Sequence, residues 1–344
     1  MGMTPPATTT TSESSASARA EAGLRLLVCL PALNEERTVG DVIRAIPRTI
    51  PGIRSITIVV IDDGSTDQTA AKAREAGAIV IHHGQTRGLG AAFHTALAYA
   101  ADNNPDIILT MDSDGQFDPQ TIPQLLEPIL SGQADFATVS RFKDPALVPE
   151  MPWTRRWGNH MLAGLVSRIA GQTYYDVSCG MRCYSRHAAM HLNLLGRFSY
   201  SAETFLNLAF KGLRIVEVPL PVRGSRQHGK SRVAHSLLWY GWRTSRIIFR
   251  CYRDYRPMPF FGGIALGFFV PALGLELLSL IHYLITGSLT PHKWAAFTGL
   301  GLCIISLASL QLGTIGDMLN RHRIYLEELL YERRMRQQRD SQDP

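Results

Sequence analysis

The chain has 344 residues, 45% of them hydrophobic and 19% charged, with a formal net charge of +6. The composition is ordinary for one large domain plus an appendage, and the basic balance suits nucleic acid, anionic lipid or phosphate substrates, between which its distribution must decide. Five scattered cysteines (Cys29, Cys179, Cys183, Cys251, Cys303) argue against a disulfide scaffold, and Cys179/Cys183 lack a second pair at zinc-finger spacing.

Residues 1–23 are Thr, Ser, Ala and Pro with almost no large apolar side chain, so a disordered tail is expected. No secretory h-region follows, which leaves the next domain in the cytosol. Leu24–Leu30 reads as a buried strand ended by Pro31, and the nearly continuous β-branched run Ile56–Ile61 as a strand covered on both faces. Ala78–His82 and Ile107–Met111 extend the series, with helical stretches at Arg37–Ala45, Thr69–Glu75 and Leu89–Ala101 between them. Such alternation predicts an α/β fold with a mostly parallel sheet. Val216–Leu220 is a later strand.

Beyond it the chain turns basic at Arg223, Arg226, Lys230 and Arg232. A helix is expected from Val233 to Arg253, with Arg243, Arg246, Arg250 and Arg253 on one face. Leu237, Leu238, Ile248, Phe249 and Tyr252 fall roughly opposite, which suits an anionic bilayer surface. Two apolar stretches follow, 260–285 and 295–319, each longer than the ~20 residues a bilayer crossing needs. Arg253 and Arg256 precede them and Arg321 and Arg323 follow, so the positive-inside rule puts both ends in the cytosol. Glu276 interrupts the first span and is expected in a polar helix–helix contact, between subunits or within one. The charged remainder, 320–344, reads as a solvated cytosolic helix.

Parallel sheets present ligands at the carboxyl ends of their strands. Three polar clusters fall there: Asn34-Glu35, Asp62-Asp63-Gly64-Ser65-Thr66-Asp67, and Asp112-Ser113-Asp114-Gly115-Gln116. One Asp after a strand is ordinarily a turn or helix cap; three acidic ends at one edge point to a site. Asp112 and Asp114 can share a hard cation, Mg²⁺ or Mn²⁺, which accepts a carboxylate or two plus substrate phosphates. A dinucleotide-binding site is a poor fit: Gly88-Leu89-Gly90-Ala91-Ala92-Phe93 has Phe at the third glycine position, and a polar run separates it from its strand. No nucleic-acid partner is expected, because the basic residues crowd against the apolar segments.

Pro31-Ala32-Leu33-Asn34-Glu35, Asp62–Asp67, Gly88-Leu89-Gly90 and Asp112–Gln116 resemble family 2 glycosyltransferases of the GT-A fold. Ser140-Arg141-Phe142, Asp176–Arg182, Glu217-Val218-Pro219 and Arg226–Arg232 narrow the likeness to polyprenyl-phosphate (dolichyl-phosphate) hexose synthases, including bacterial members with a two-helix anchor. The resemblance implies a GT-A domain over 24–232, an interfacial helix over 233–256 and transmembrane helices over 260–285 and 295–319. It places Pro31, Leu33, Glu35, Ile61 and Asp63 around the base and ribose, and Asp112 and Ser113 at the nucleotide-sugar. Asp114 and Gln116 become the direct ligands of Mg²⁺ or Mn²⁺. Asp112, Asp114, Arg226 and Arg232 carry the catalytic role, and Arg141, Arg155 and Asn159 the acceptor phosphate.

Arg232 stands where many members have Lys, and Cys179 and Met181 replace the commoner Gly and Phe, so sugar specificity does not transfer. Trp153-Thr154-Arg155-Arg156-Trp157 lacks the Gln of the processive signature, which argues against polymer synthesis. The implied reaction is inverting transfer from UDP- or GDP-hexose to undecaprenyl-type phosphate at the cytosolic face of the cell membrane. Its partners are the nucleotide-sugar, the polyprenyl phosphate and membrane lipids, with a homotetramer as the assembly the family suggests. The alternatives are transfer to another lipid or a glycan hydroxyl, and a silent scaffold retaining the fold.

Overall fold

The computed structural model describes residues 23–193, 201–224 and 237–340. The expected tail before Gly23 and the basic run with Arg226, Lys230 and Arg232 lie outside the described residues. Two compact units divide at Ser245/Arg246, the second running from Arg246 to Glu332.

In the first unit the described strands form one sheet of seven. They are β1 (Leu24–Ala32), β2 (Ile53–Asp62), β3 (Ile79–His82), β4 (Ile107–Thr110), β5 (Phe136–Ser140), β6 (Arg182–Ser185) and β7 (Ile215–Pro219). Their order is β3-β2-β1-β4-β6-β5-β7. β6 runs antiparallel to both neighbours and every other pairing is parallel. The described helices are α1 (Val39–Ala45), α2 (Thr69–Glu75), α3 (Leu89–Asn103), α4 (Ile122–Leu130), α5 (Trp153–Ala170), α6 (Arg186–His191) and α7 (Ser201–Phe210).

The apolar pattern explains this layering. Leu26, Val28 and Leu30 alternate onto one face of β1 and join Ile58, Val60 and Leu109 in the core. On α3, Ala92, Ala96 and Ala100 recur every four residues with Phe93 beside them, giving one buried face. The antiparallel sense of β6 shapes the carboxyl edge of the sheet. Its first residue, Arg182, is level with Thr110 and Thr138 near the carboxyl ends of β4 and β5. The loop entering β6 therefore arrives at the same sheet edge as the loops leaving its neighbours.

The helix α8 (Leu237–Tyr255) contains the boundary between the units. Arg246, Arg250 and Arg253 are exposed and Ile248 and Cys251 are buried. Phe249, assigned to the apolar face by spacing, is exposed, with its ring edge-on to Phe260 at 4.8 Å. The buried line of α8 follows the i, i+3 step from Ile248 to Cys251, which turns Phe249 toward the arginine side. The side chain of Arg243 is outside the described set.

α9 (Pro257–Thr286), in the second unit, and α10 (Lys293–Asp340), which is in that unit as far as Glu332, are each long and apolar enough to cross a membrane. α10 runs past Leu319 without a break, so the apolar span and the charged helix expected after it are one helix. Residues 320–340 contain no Gly or Pro and are rich in Arg, Glu and Leu, so helix propensity carries on where hydrophobicity ends. The two helices meet along small residues: the Ser306 hydroxyl donates to the Ala265 carbonyl (2.8 Å), and Gly313 packs on Met258 and Phe261. Glu276 lies in this seam against Gly299, where a Cβ would come within 2.8 Å of its Oε1.

Candidate active site

The sheet order reverses direction at β1 and β4, and the loops after these strands flank the crevice where open α/β sheets bind ligands. They are stitched together. The Thr38 hydroxyl donates to the Ser113 carbonyl (2.8 Å), and the Ser113 hydroxyl to the Pro31 carbonyl (2.9 Å). Asn34 takes a left-handed conformation (φ 50°), which asparagine tolerates. Its N–H donates to Ser65 Oγ (2.9 Å) and its Oδ1 accepts from the Thr66 N–H (2.8 Å). The Glu35 N–H donates to Thr69 Oγ1 (2.8 Å), so Pro31–Glu35 is locked onto the turn after β2.

That turn spends its carboxylates on the protein. Asp62 accepts from the Ser65 N–H (2.9 Å) and bonds His82 Nδ1 (2.8 Å). Burial works to raise its pKa, but the Ser65 and His82 hydrogen bonds outweigh burial and hold it below the usual carboxylate range. Asp63, 5% exposed, accepts from the Arg87 N–H (2.9 Å) and the Gly88 N–H (2.7 Å) and bonds His83 Nδ1 (2.7 Å). Gly64 has φ +81°, and a Cβ there would lie 2.8 Å from backbone atoms of Gln85 and Thr86. The 83–88 segment is thus strapped over the Asp62–Thr66 turn.

The Asp112–Gln116 loop follows β4. Asp114 is 2% exposed, and its Oδ1 accepts from the Gln116 N–H (3.0 Å). Gln116 donates through Nε2 to the Arg223 carbonyl (3.2 Å), and the Arg223 N–H returns to the Gln116 carbonyl (3.0 Å). The donating end of that amide is thereby committed, and Oε1 is its acceptor. Asp112 is half-buried against Gly180, where a Cβ would stand 2.9 Å from the Asp112 Cγ. Two carboxylates and an amide oxygen within five residues form a hard-oxygen donor set that fits Mg²⁺ or Mn²⁺. Among the described residues no group of three or more His, Cys, Asp or Glu stands ready to hold a metal. A cation here would take its remaining ligands from diphosphate and water.

Opposite this loop sits a paired cation. Arg141, just past β5, donates through Nε and Nη2 to the two oxygens of Asp176 (2.6 and 2.9 Å), and through Nη2 to Ser178 Oγ (2.7 Å). Burial pulls the guanidinium pKa down, but Asp176 and the more distant Asp112 more than offset this, and the net shift is upward. Ser178 also donates to Asn159 Oδ1 (3.1 Å) on α5. Arg155 lies four residues earlier, on the same face of that helix. The loop carrying these contacts is anchored by Arg182, which is fully buried and donates to the Cys179 (2.8 Å), Val177 (3.0 Å) and Ser201 (3.1 Å) carbonyls. Burial pushes the Cys179 thiol up to about 12, so it stays neutral.

The structure therefore brings Pro31, Leu33, Glu35, Asp112, Ser113, Asp114 and Gln116 to one edge, and it links Arg141 to Asn159 through Ser178. Ile61, the strand neighbour of Pro31, is 1% exposed and belongs to the buried interior. Arg226 and Arg232 lie outside the described residues. Sequence reasoning assigned no role to Ser178, Gly180 or His83. The first two lie inside the Asp176–Arg182 motif, whose polar and small residues were the available signal.

The glycosyl transferase family 2 model matches residues 27–192. A dolichyl-phosphate hexose transferase of Haloferax volcanii is 32% identical over 198 residues, covering 58% of this chain and 82% of that protein. A polyprenol monophosphomannose synthase of Mycolicibacterium smegmatis is 29% identical, covering 62% and 82%. The structure is similar to glucosyl-3-phosphoglycerate synthase from Mycobacterium tuberculosis in complex with Mn²⁺, UDP-glucose and phosphoglyceric acid. That likeness has a TM-score of 0.53 and 25% identity, covering 68% of this chain and 81% of that one. The chain belongs to glycosyl transferase family 2, with a GT-A-like fold, and is a glycosyltransferase.

Proposed function

We propose that this protein transfers a hexose, with inversion, from UDP- or GDP-hexose to an undecaprenyl-type polyprenyl phosphate at the cytosolic face of the membrane. The observation that carries this reading is the loop 176–180, which has the acidic Asp112 against Gly180 and the cation Arg141 on Asp176 and Ser178. A site for an anionic donor thus adjoins a site for a second anion. Helices long enough to cross a bilayer in the same chain, and relatives named for dolichyl-phosphate and polyprenol substrates, support a lipid as the carrier of that anion.

A lipid monophosphate has a second pKa near 6 and is largely ionised at neutral pH, so it attacks without a strong general base. The residues have two tasks: to gather two anions and to align them. Arg141 screens and orients the acceptor phosphate, with Asn159 and Arg155 along the neighbouring face of α5. Arg226 and Arg232 are proposed to balance the donor diphosphate. Pro31, Leu33, Glu35, Ile61 and Asp63 shape the base and ribose pocket, Asp63 by holding the 87–88 backbone. Asp114 and Gln116 would hold Mg²⁺ or Mn²⁺, with Asp112 nearer the nucleotide; when bound, the ion supplies Lewis-acid neutralisation of the diphosphate leaving group. The proposed organisation keeps 24–232 catalytic, 233–256 at the interface and the two apolar helices as anchor, with a homotetramer as the assembly.

The test is direct. Purified protein in detergent is given polyprenyl phosphate and each of a panel of labelled UDP- and GDP-hexoses, with and without Mn²⁺ or Mg²⁺. Formation of a lipid-linked monophosphate sugar from one donor is the expected result. Transfer only to glycan or lipid hydroxyls would replace the acceptor, and no transfer from any donor would overturn the enzyme reading.

A further inference from the structure

The carboxylate of Glu217 has no part in the proposed transfer, yet it is 6% exposed and fully engaged. Its Oε1 accepts from the Asp176 N–H at 2.6 Å and its Oε2 from the Tyr175 N–H at 2.8 Å. A single side chain thus grips two consecutive backbone amides, and the second belongs to the residue that holds Arg141. The side chain's own base is rigid. Glu217 is paired with Thr138 in the β5–β7 ladder, and its carbonyl accepts from Lys143 Nζ at 2.7 Å. Arg141 leaves the end of that same β5, where Ser140 is level with Pro219. Both ends of the Arg141–Asp176 pair are therefore referenced to β7.

Burying a carboxylate is costly, and a neutral amide or hydroxyl caps a turn at less expense. Here burial does push the Glu217 carboxyl up, and nearby Asp176 adds to that, while the two backbone N–H groups oppose it. What a carboxylate offers over an amide is two acceptors and no donor, so both N–H groups are met at short range and Asp176 has one available position. We infer that Glu217 is a positioning residue for the acceptor phosphate: by clamping the Tyr175–Asp176 backbone it sets the orientation of Arg141. The inference rests on the proposed reading of Arg141 as an acceptor-phosphate residue.

The test measures separate KM values for nucleotide-sugar and for short polyprenyl phosphate in the wild type, Glu217→Gln, Arg141→Ala and the double variant. Glu217→Gln points an NH₂ group at a backbone N–H; it is expected to raise the acceptor KM roughly tenfold while the donor KM stays within about twofold. In the Arg141→Ala background the same change is expected to add less than about twofold, because its route of action is already cut. Equal rises in both KM values, or effects that multiply in the double variant, would overturn the inference. Glu217→Asp, which keeps the charge, is the second variant and is expected to retain more acceptor affinity than Glu217→Gln. Loss of folding in both would overturn the inference in favour of a purely structural carboxylate. Wild-type turnover separates the two levels. An inactive wild type removes the acceptor reading and this inference with it, whereas an active wild type with no KM split removes only the inference.

Discussion

The two halves of the sheet edge are held together by different chemistry. On the β3-β2-β1-β4 side the loops are pinned by hydroxyls, an asparagine amide and backbone groups, and the turn carboxylates Asp62 and Asp63 face N–H groups and histidines. On the β6-β5-β7 side the ties are charged and buried: Arg141 on Asp176, Glu217 on the 175–176 backbone, Arg182 on three carbonyls. A region proposed to seat a nucleotide diphosphate has no need of its own fixed cation beyond the metal and the segment after β7. A region proposed to seat a phosphate needs a cation kept charged and correctly aimed, and buried partners do that. The difference teaches that the two substrates can be perturbed separately.

Substitutions can break this separation or sharpen it. The largest effect is expected at Asp114: Asp114→Ala should lower transfer at least ~100-fold with any acceptor, read as kcat with saturating substrates. Arg141→Ala should raise the acceptor KM by about 10–100-fold while nucleotide binding, followed by titration, is unchanged; weakened nucleotide binding would erase the distinction between the halves. Gly64→Ala should destabilise the first half alone, by about 1–3 kcal/mol, through the positive φ and the approach to Gln85 and Thr86, seen as a lower Tm. The smallest effect is expected at Asp135, a half-buried carboxylate paired with the exposed Arg214. Its pKa is held down first by the hydrogen bond from Arg214. A lowered carboxylate stabilises above the unfolded value near ~3.9 and loses that contribution as pH falls through the folded value. Asp135→Asn should therefore lower Tm slightly at neutral pH and match the wild type in strong acid.

Much of the first half was legible from the sequence. A short apolar run marked β1 and a nearly continuous β-branched run marked β2, the helix Thr69–Glu75 came out with its observed ends, and the acidic strand ends marked the edge. The second half was harder to read. β6 is four residues, Arg-Cys-Tyr-Ser, with a buried arginine and no alternating pattern, so neither its existence nor its reversed direction shows in hydropathy. That Asp63 already meets His83 and the Arg87 and Gly88 N–H groups was not legible, because sequence gives residue type and strand end but not which groups occupy the carboxylate. Glu217 read as one polar residue in a strand, since its partners lie 41 and 42 positions away. The change from apolar to charged residues at Leu319 marks the end of a lipid-compatible surface, and the charged helix expected beyond it is continuous with the apolar one because no Gly or Pro interrupts 320–340.

The reversed strand also governs when the site comes into existence. β4 and β5 follow one another in the chain but do not pair; β6 is the piece that joins them. During synthesis, the ribosome must release Arg182–Ser185 before the β1–β4 portion can be seamed to the rest. Only then does Gly180 come up against Asp112 and Asp176 reach Arg141. A nascent chain ending short of β6 holds one half of the cleft with nothing across from it. Assembly of the cleft is therefore a long-range event, completed by the pairing of that single strand.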